Sequence, residues 1–541
     1  MRRFLVLSVV VTLALLIAVP SFALEVKYAG LFRARIISQH DFTAYAYPGN
    51  PLGMSYAVTQ PFGKQVGYNQ HYNRIDQRLR MYFDFISSEN LKVVARFEQQ
   101  AWWGRTATDQ VPGAMNYGSG NVGADSGGLY MKNAYVDFKI PGTPLTAKVG
   151  VQGIAALDSW IVDSDFSAAT VTANLKPFTV TLGYITGQNF SPTVESENID
   201  DLLAVVSYKE GPFSAALVGL WQDAHNTPTS IFPQIGALQD DPLQANVEFS
   251  RSFNGGANYA NPFFPNYFLS AQNNNLFDLG IQLGYKIDYL SAYLNFVKNF
   301  GSVKLANVAT ATTEPTPATQ VYFPTGYLSS LNAHKANYTG WMLDAGVNYF
   351  CAPFTANLGG FYTSGQKMNL VATNPNVPVS AANPQVVVPN GSNIEQFVYP
   401  VSTSKYFSEI MGGGILDNTA PNGGYWRGYP VPTNIWTVTV GGAWQALPQT
   451  KLALSYWYFG TSQPVPSAFN TATGVWKTSS SLGSEIDLNI TQNIVDKLNL
   501  DLVGAWLIPG QGFRASSYGA GISYGHDSSV YELGARLQWA F

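Results

Sequence analysis

Cysteine is almost absent: Cys351 is the only one in 541 residues. A single thiol closes no disulfide within the chain, and no Cys-x-x-Cys-His site for haem exists. Charge is scarce, with Asp, Glu, Lys and Arg together at 12%. The 30 basic and 34 acidic residues become 28 against 34 once Arg2 and Arg3 of an N-terminal leader are set aside. That negative balance argues against nucleic acid as a partner. The five histidines, His40, His71, His225, His334 and His526, lack metal-ligand spacing such as His-x-x-x-His. No metal or cofactor is expected. No Ser/His/Asp arrangement is identifiable, so no catalytic residue is assigned and an enzyme is not expected. After residue 23 no run approaches the roughly 18 apolar residues of a spanning helix.

Much else is present. Met1–Ala23 has the plan of a secretory signal peptide: Arg2 and Arg3, the apolar run Phe4–Val19, then the small-residue site Ser21-Phe22-Ala23. Residues 24–541 are read as one domain. Aromatics make up 14% and glycines number 50, which suits a sheet facing lipid.

The dominant signal has a period of two. From the end backwards Phe541, Trp539, Leu537, Ala535, Leu533 and Tyr531 are apolar, interleaved with Ala540, Gln538, Arg536, Gly534 and Glu532. Successive strand side chains point to opposite faces, so this stretch has one greasy face and one mostly polar face. The run 74–85 repeats the pattern, with Ile75, Leu79, Met81, Phe83 and Phe85 against Arg74, Asp76, Arg78, Arg80 and Asp84. Eighteen such stretches follow one another, beginning near Val26–Ile37. Their connections alternate short and long. Three are very long, about 223–275, 300–339 and 365–434, which a compact soluble domain rarely carries.

Hydrocarbon cannot satisfy backbone N–H and C=O groups, so a sheet survives there only when closed. The expected fold is all-β: a transmembrane antiparallel β-barrel of about 18 strands, with short periplasmic turns and long extracellular loops. Apolar side chains would face lipid, polar ones a wet lumen. Trp341, Tyr349, Trp436, Trp444, Trp539 and Phe541 fall at strand ends, where an aromatic girdle belongs.

Four short stretches carry a resemblance: Gln77-Arg78-Leu79-Arg80, Lys132-Asn133-Ala134-Tyr135-Val136-Asp137, Lys148-Val149-Gly150-Val151-Gln152-Gly153-Ile154 and Gly483-Ser484-Glu485-Ile486-Asp487-Leu488. They resemble outer-membrane porins of sulfate- and metal-reducing bacteria, and in part alginate-export-type 18-strand barrels. The resemblance is firmest over about 70–190 and 480–541. It implies a cell outer-membrane barrel in contact with lipid and lipopolysaccharide, and a possible homotrimer. The terminal Phe541 resembles the signal read by the barrel-assembly machinery.

A porin's chemistry is electrostatic. Alternation turns Arg33, Arg35, Arg74, Arg78, Arg80, Arg96 and Arg536 inward as a basic wall, while Asp278, Asp344, Glu485, Asp487 and Asp501 make other inward positions acidic. In trimeric porins the third external loop narrows the pore. Its counterpart, Gly153–Ser167, carries Asp158, Asp163 and Asp165 among Ile154, Leu157, Trp160 and Ile161. These aspartates are expected to face the arginine wall and set up a transverse field. The expected function is passive diffusion of small hydrophilic solutes and ions. The alternatives are a substrate-specific or polysaccharide-export channel, and a barrel sheath for an electron-transfer partner.

Overall fold

In the computed structural model, the residues described are 24–40, 71–105, 117–120, 128–189, 198–227, 271–305, 335–365, 367–372, 377–380, 385–389, 393–398, 401–402, 405–417, 433–470, 473–511 and 529–541. The leader, most of connections 223–275 and 300–339, and His334 and His526 lie outside them.

Eighteen strands form the wall. They are β1 (Glu25–His40), β2 (His71–Ser88), β3 (Leu91–Arg105), β4 (Tyr130–Lys139), β5 (Leu145–Ala156), β6 (Val162–Leu175), β7 (Phe178–Asn189), β8 (Asn198–Glu210) and β9 (Phe213–Thr227). The second half is β10 (Ala271–Ile287), β11 (Leu290–Leu305), β12 (Trp341–Cys351), β13 (Phe354–Thr363), β14 (Trp436–Leu447), β15 (Thr450–Asn470), β16 (Val475–Val495), β17 (Leu498–Pro509) and β18 (Val530–Ala540). Each wall strand pairs antiparallel with its neighbours in sequence, and β18 pairs with β1 from Leu31↔Ala540 to His40↔Tyr531. Reciprocal bonds between Gly30 and Phe541, at 2.9 and 3.0 Å, finish the seam. The ring has no free edge, so among the described residues each wall strand finds a backbone partner on both sides.

The faces follow the alternation. Ile36 is 56% exposed while Ile37 beside it is fully buried. Exposed aromatics ring the short-turn end: Phe178 packs on Tyr208, Phe213 on Tyr285, Tyr289 on Tyr349 and Phe354 on Trp444. A second set lies nearer the long connections, where Trp436 meets Tyr458 and Trp506 stacks on Tyr531. Two aromatic belts around an apolar band are what a barrel crossing a bilayer requires. Among the described residues no helix is long and apolar enough to cross one.

The inside departs from the expected wet lumen. Near the short turns it is polar, with Thr172 against Thr181 and Asn348 donating to Ser291. Towards the long connections the inward positions turn apolar. Ile185, Leu203, Leu220, Val297, Met342, Phe361, Phe459 and Leu507 form one buried cluster with Trp160, Phe397, Ile410 and Met411, which come from connections folded into the ring. Two of those connections matter for function. One is the tip between β5 and β6. The other is 364–435, which contains a single-turn helix, α1 (Glu409–Gly412). The tip is shorter than expected, because β5 and β6 run through most of 153–167 and leave only residues 157–161 between them.

Candidate functional site

The seven arginines of the expected basic wall lie on β1, β2, β3 and β18, which adjoin one another round the ring. The register sets like charges face to face. Arg33 lies opposite Arg78, and Arg35 opposite Arg536. Such pairs repel unless something negative stands between them.

Part of that charge comes from the wall. Arg35 holds Asp76 through two bonds of 2.8 Å, and Arg74 Nε lies 2.8 Å from the same carboxylate. Arg74 also stacks over Trp102, and Arg96 over Tyr82. Arg80 pairs with Glu98, and Arg536 with Asp501 at 2.9 Å. The remaining charge comes from the inner connection. Asp417 Oδ2 lies 2.5 Å from Arg33 Nη1 and 2.9 Å from Arg78 Nη1, while its Oδ1 accepts from Tyr406. Burial alone would raise this carboxyl, but Arg78, Arg33 and Arg35 hold it well below the usual carboxylate range. Arg35 also donates to the carbonyls of Leu416 and Asp417, and Arg536 to that of Ile415.

The same segment meets acids on its other side. Glu485 of β16 accepts from Ser408 Oγ at 3.0 Å and from the amides of Ile410 and Met411 at 2.7 and 3.1 Å. The first amides of a helix have no partner within it, so a carboxylate there satisfies them and complements the helix dipole. Asp487 lies 3.4 Å from the amide of Glu409. Glu409 turns back to accept from Ile415 and Leu416. Burial pushes its carboxyl up to about 7. Residues 405–417 thus span the lumen, with amides turned to carboxylates and carbonyls to guanidiniums.

The expectation that Asp158, Asp163 and Asp165 oppose the arginines needs correction. Asp158 accepts from Asn295 of β11 at 2.8 Å, and Asp165 from Lys132 and Asn133 of β4 at 2.5 and 2.7 Å. Asp163 accepts from Ser159 at 2.6 Å. The carboxylate that meets Arg33 and Arg78 is Asp417. The β5–β6 tip does enter the lumen. It touches β10 to β13, strands four to seven places from β6, through buried Leu157, Trp160 and Ile161. Trp160 Nε1 donates to Asp344 at 2.8 Å, and its ring packs on Phe361 and Phe397. Leu157, Asp158 and Ser159 all have positive φ, at 56°, 49° and 68°. Left-handed backbone costs a non-glycine residue roughly 1–2 kcal/mol, and burial of the tip's large side chains offsets it. On the wall, Gly280 makes room: a Cβ there would run into Leu157 and Ile161.

Tip and inner segment meet at Lys405. Its Nζ donates to the carbonyl of Asp158 at 2.8 Å, lies 3.5 Å from Asp344 and sits 4.9 Å from the Trp160 ring centroid. Sequence reasoning missed Lys405, Tyr406, Glu409 and Asp417. The available signal was the apolar pairs Ile410-Met411 and Ile415-Leu416 inside a Gly- and Ser-rich connection, too greasy for a surface loop.

No family model matches the chain, and no curated protein does. Solved structures similar to it include OpdL of Pseudomonas aeruginosa, with 9% identity and a TM-score of 0.45 over 95% of this chain and 99% of that one. OccK8 (OprE) of the same species has 9% identity and a TM-score of 0.44, covering 96% and 98%. A BenF-like porin from Pseudomonas fluorescens Pf-5 has 10% identity and a TM-score of 0.44, covering 96% and 98%. Likenesses this distant assign no function to the chain.

Proposed function

We propose that the protein is an outer-membrane porin that lets small hydrophilic solutes and ions diffuse passively through a charged lumen. The carrying observation is the closed 18-strand ring with apolar outside and aromatic belts, whose interior bears a basic sector and an acidic sector. A closed ring with an apolar outside leaves no backbone group for hydrocarbon to satisfy, which is the condition for crossing a membrane. Opposed charge across a narrowed passage orients dipolar solutes and selects ions. In this reading Arg33, Arg35, Arg74, Arg78, Arg80, Arg96 and Arg536 set ion preference. Asp158 belongs to the tip that narrows the lumen, and Asp163 and Asp165 to the first residues of β6 beside it. The reading assigns no catalytic group. Its further parts are removal of residues 1–23 on export, recognition of Phe541 by the barrel-assembly machinery, a homotrimer, and kinship with porins of sulfate- and metal-reducing bacteria.

Single-channel recording of refolded protein across a salt gradient is the test. Arg78→Glu and Arg80→Glu are expected to shift the reversal potential towards cation preference. Unchanged potentials in both would remove the arginines from selectivity. A second reading, a substrate-specific channel, is favoured by the two connections folded into the ring. It predicts one solute that blocks current at low concentration, where a general porin shows weak saturation only.

A further inference from the structure

The inner segment ends in a carboxylate that behaves as a ligand of the wall. Asp417 places one oxygen between two guanidiniums, bonded to Nη1 of each. Buried Arg33 Nε and Arg78 Nε make no hydrogen bond among the described residues, Glu98 lying 3.8 Å from the latter. Arginine pairs best with an oxyanion through two parallel bonds, so the site has donor capacity that Asp417 does not fill. Charge agrees. Among the described residues Arg33, Arg35, Arg74, Arg78, Arg80 and Arg536 pair with four carboxylates, Asp76, Glu98, Asp501 and Asp417, and only the last comes from outside the wall.

The backbone carrying Asp417 is poised. Asp417 is left-handed at φ 52°, and Gly413 and Gly414, at 76° and 32°, lie just before it. Strain of this sort persists only while surrounding contacts enforce it. The other end of the segment is held separately, by Glu485 on α1 and by Lys405 in the Asp158–Trp160–Asp344 corner. Losing the Asp417 side-chain contacts would leave residues 415–417 on the wall only through their carbonyls, free to swing about the two glycines once Arg35 and Arg536 turn to an incoming anion, without detaching the rest.

We infer that Asp417 is a tethered occupant of an oxyanion site formed by Arg33 and Arg78, and that soluble carboxylates or phosphates compete with it and release residues 414–417 from the arginine wall. The consequence for passage rests on the channel reading above; the binding step does not. A tethered group competes at its effective concentration, so removing its charge unmasks the site. Tyr406 supports the occupied state by donating to Asp417.

The test uses the full chain in detergent, in a buffer free of other oxyanions, titrated calorimetrically with succinate and with inorganic phosphate. Asp417→Asn is expected to bind at least one of them about tenfold more tightly than the parent, with Tyr406→Phe between the two. The better-bound anion identifies the headgroup. In the parent, that anion should speed hydrogen exchange at the Ile415 and Leu416 amides; in Asp417→Asn these amides should already exchange fast. Heat-modifiable migration on gels verifies that each variant is a folded barrel, and Tyr406→Phe carries the test should Asp417→Asn fail to fold. Equal affinity in parent and folded variants overturns the inference, as does binding without faster exchange. Bilayer recordings separate it from the channel reading. Displacement without conductance supports the oxyanion site and overturns the channel. Conductance with equal affinities does the reverse.

Discussion

The two charged sectors hold the same inner segment in opposite ways. On β16, Glu485 and Asp487 take backbone amides at a helix start, in a buried setting that also contains Glu409. On β1, β2 and β18, arginines take backbone carbonyls and one side-chain carboxylate. The acidic hold is built mainly on bonds to backbone amides, with Ser408 Oγ added. The basic hold combines backbone carbonyls with one charged contact, the Asp417 carboxylate. The acidic sector therefore works as an anchor, and the basic sector as a contact that can exchange partners.

The contrast breaks most sharply at Glu485. Glu485→Ala leaves Ser408 Oγ and two amides buried without an acceptor, on the order of 4 kcal/mol against the closed arrangement. Hydrogen exchange at Ile410 and Met411 should accelerate strongly. Retained protection would show that the anchor lies elsewhere.

Acidity should act on the two sectors in opposite directions. The carboxyl of Glu409 is raised from 4.5 to about 7, so its contribution to closure is complete below about pH 4.5 and is lost as pH rises through 7. That amounts to ~3 kcal/mol. Glu485, Asp487 and Arg536 face it. Asp417, held low, contributes above the ordinary carboxylate range and loses its contribution only in strong acid. Exchange at Ile415 and Leu416, corrected for intrinsic rates, should rise between pH 5 and 8 in the parent and stay flat in Glu409→Gln. A slope preserved in that variant would assign the effect to another group.

The smallest effect is expected at the tip. Gly280→Val inserts methyl groups where Leu157 and Ile161 sit, at a cost of about 2 kcal/mol, and should perturb the Trp160 environment while leaving the arginine wall intact. Trp160 fluorescence unchanged from the parent would mean that the tip is not seated against β10.

The barrel was legible because its rule is local. Alternation such as Arg78-Leu79-Arg80 sorts two faces without reference to the rest of the chain, and each of the eighteen expected stretches overlaps one wall strand. The burial of Arg35 and Arg74 beside exposed Ile36 and Ile75 follows the same rule. What stayed hidden is contact between distant segments. Nothing local connects Asp417 to Arg33, 384 residues away. Periodicity also blurs where both faces are apolar, as in Leu202-Leu203-Ala204-Val205-Val206: one face meets lipid and the other an interior packed by connections. The third loop looked inward-folding from its apolar content, but the direction of its aspartates depended on a tight left-handed turn that no residue type announces.

The facing of Arg33 and Arg78 across paired strands has a practical side for anyone who would strip this cylinder down to a bare nanopore. Deleting the connection that carries Asp417 removes an obstruction and also takes away a built-in counter-ion. The hollowed version would leave Arg33 and Arg78 repelling each other, so its stability should rise with ionic strength or an added anion.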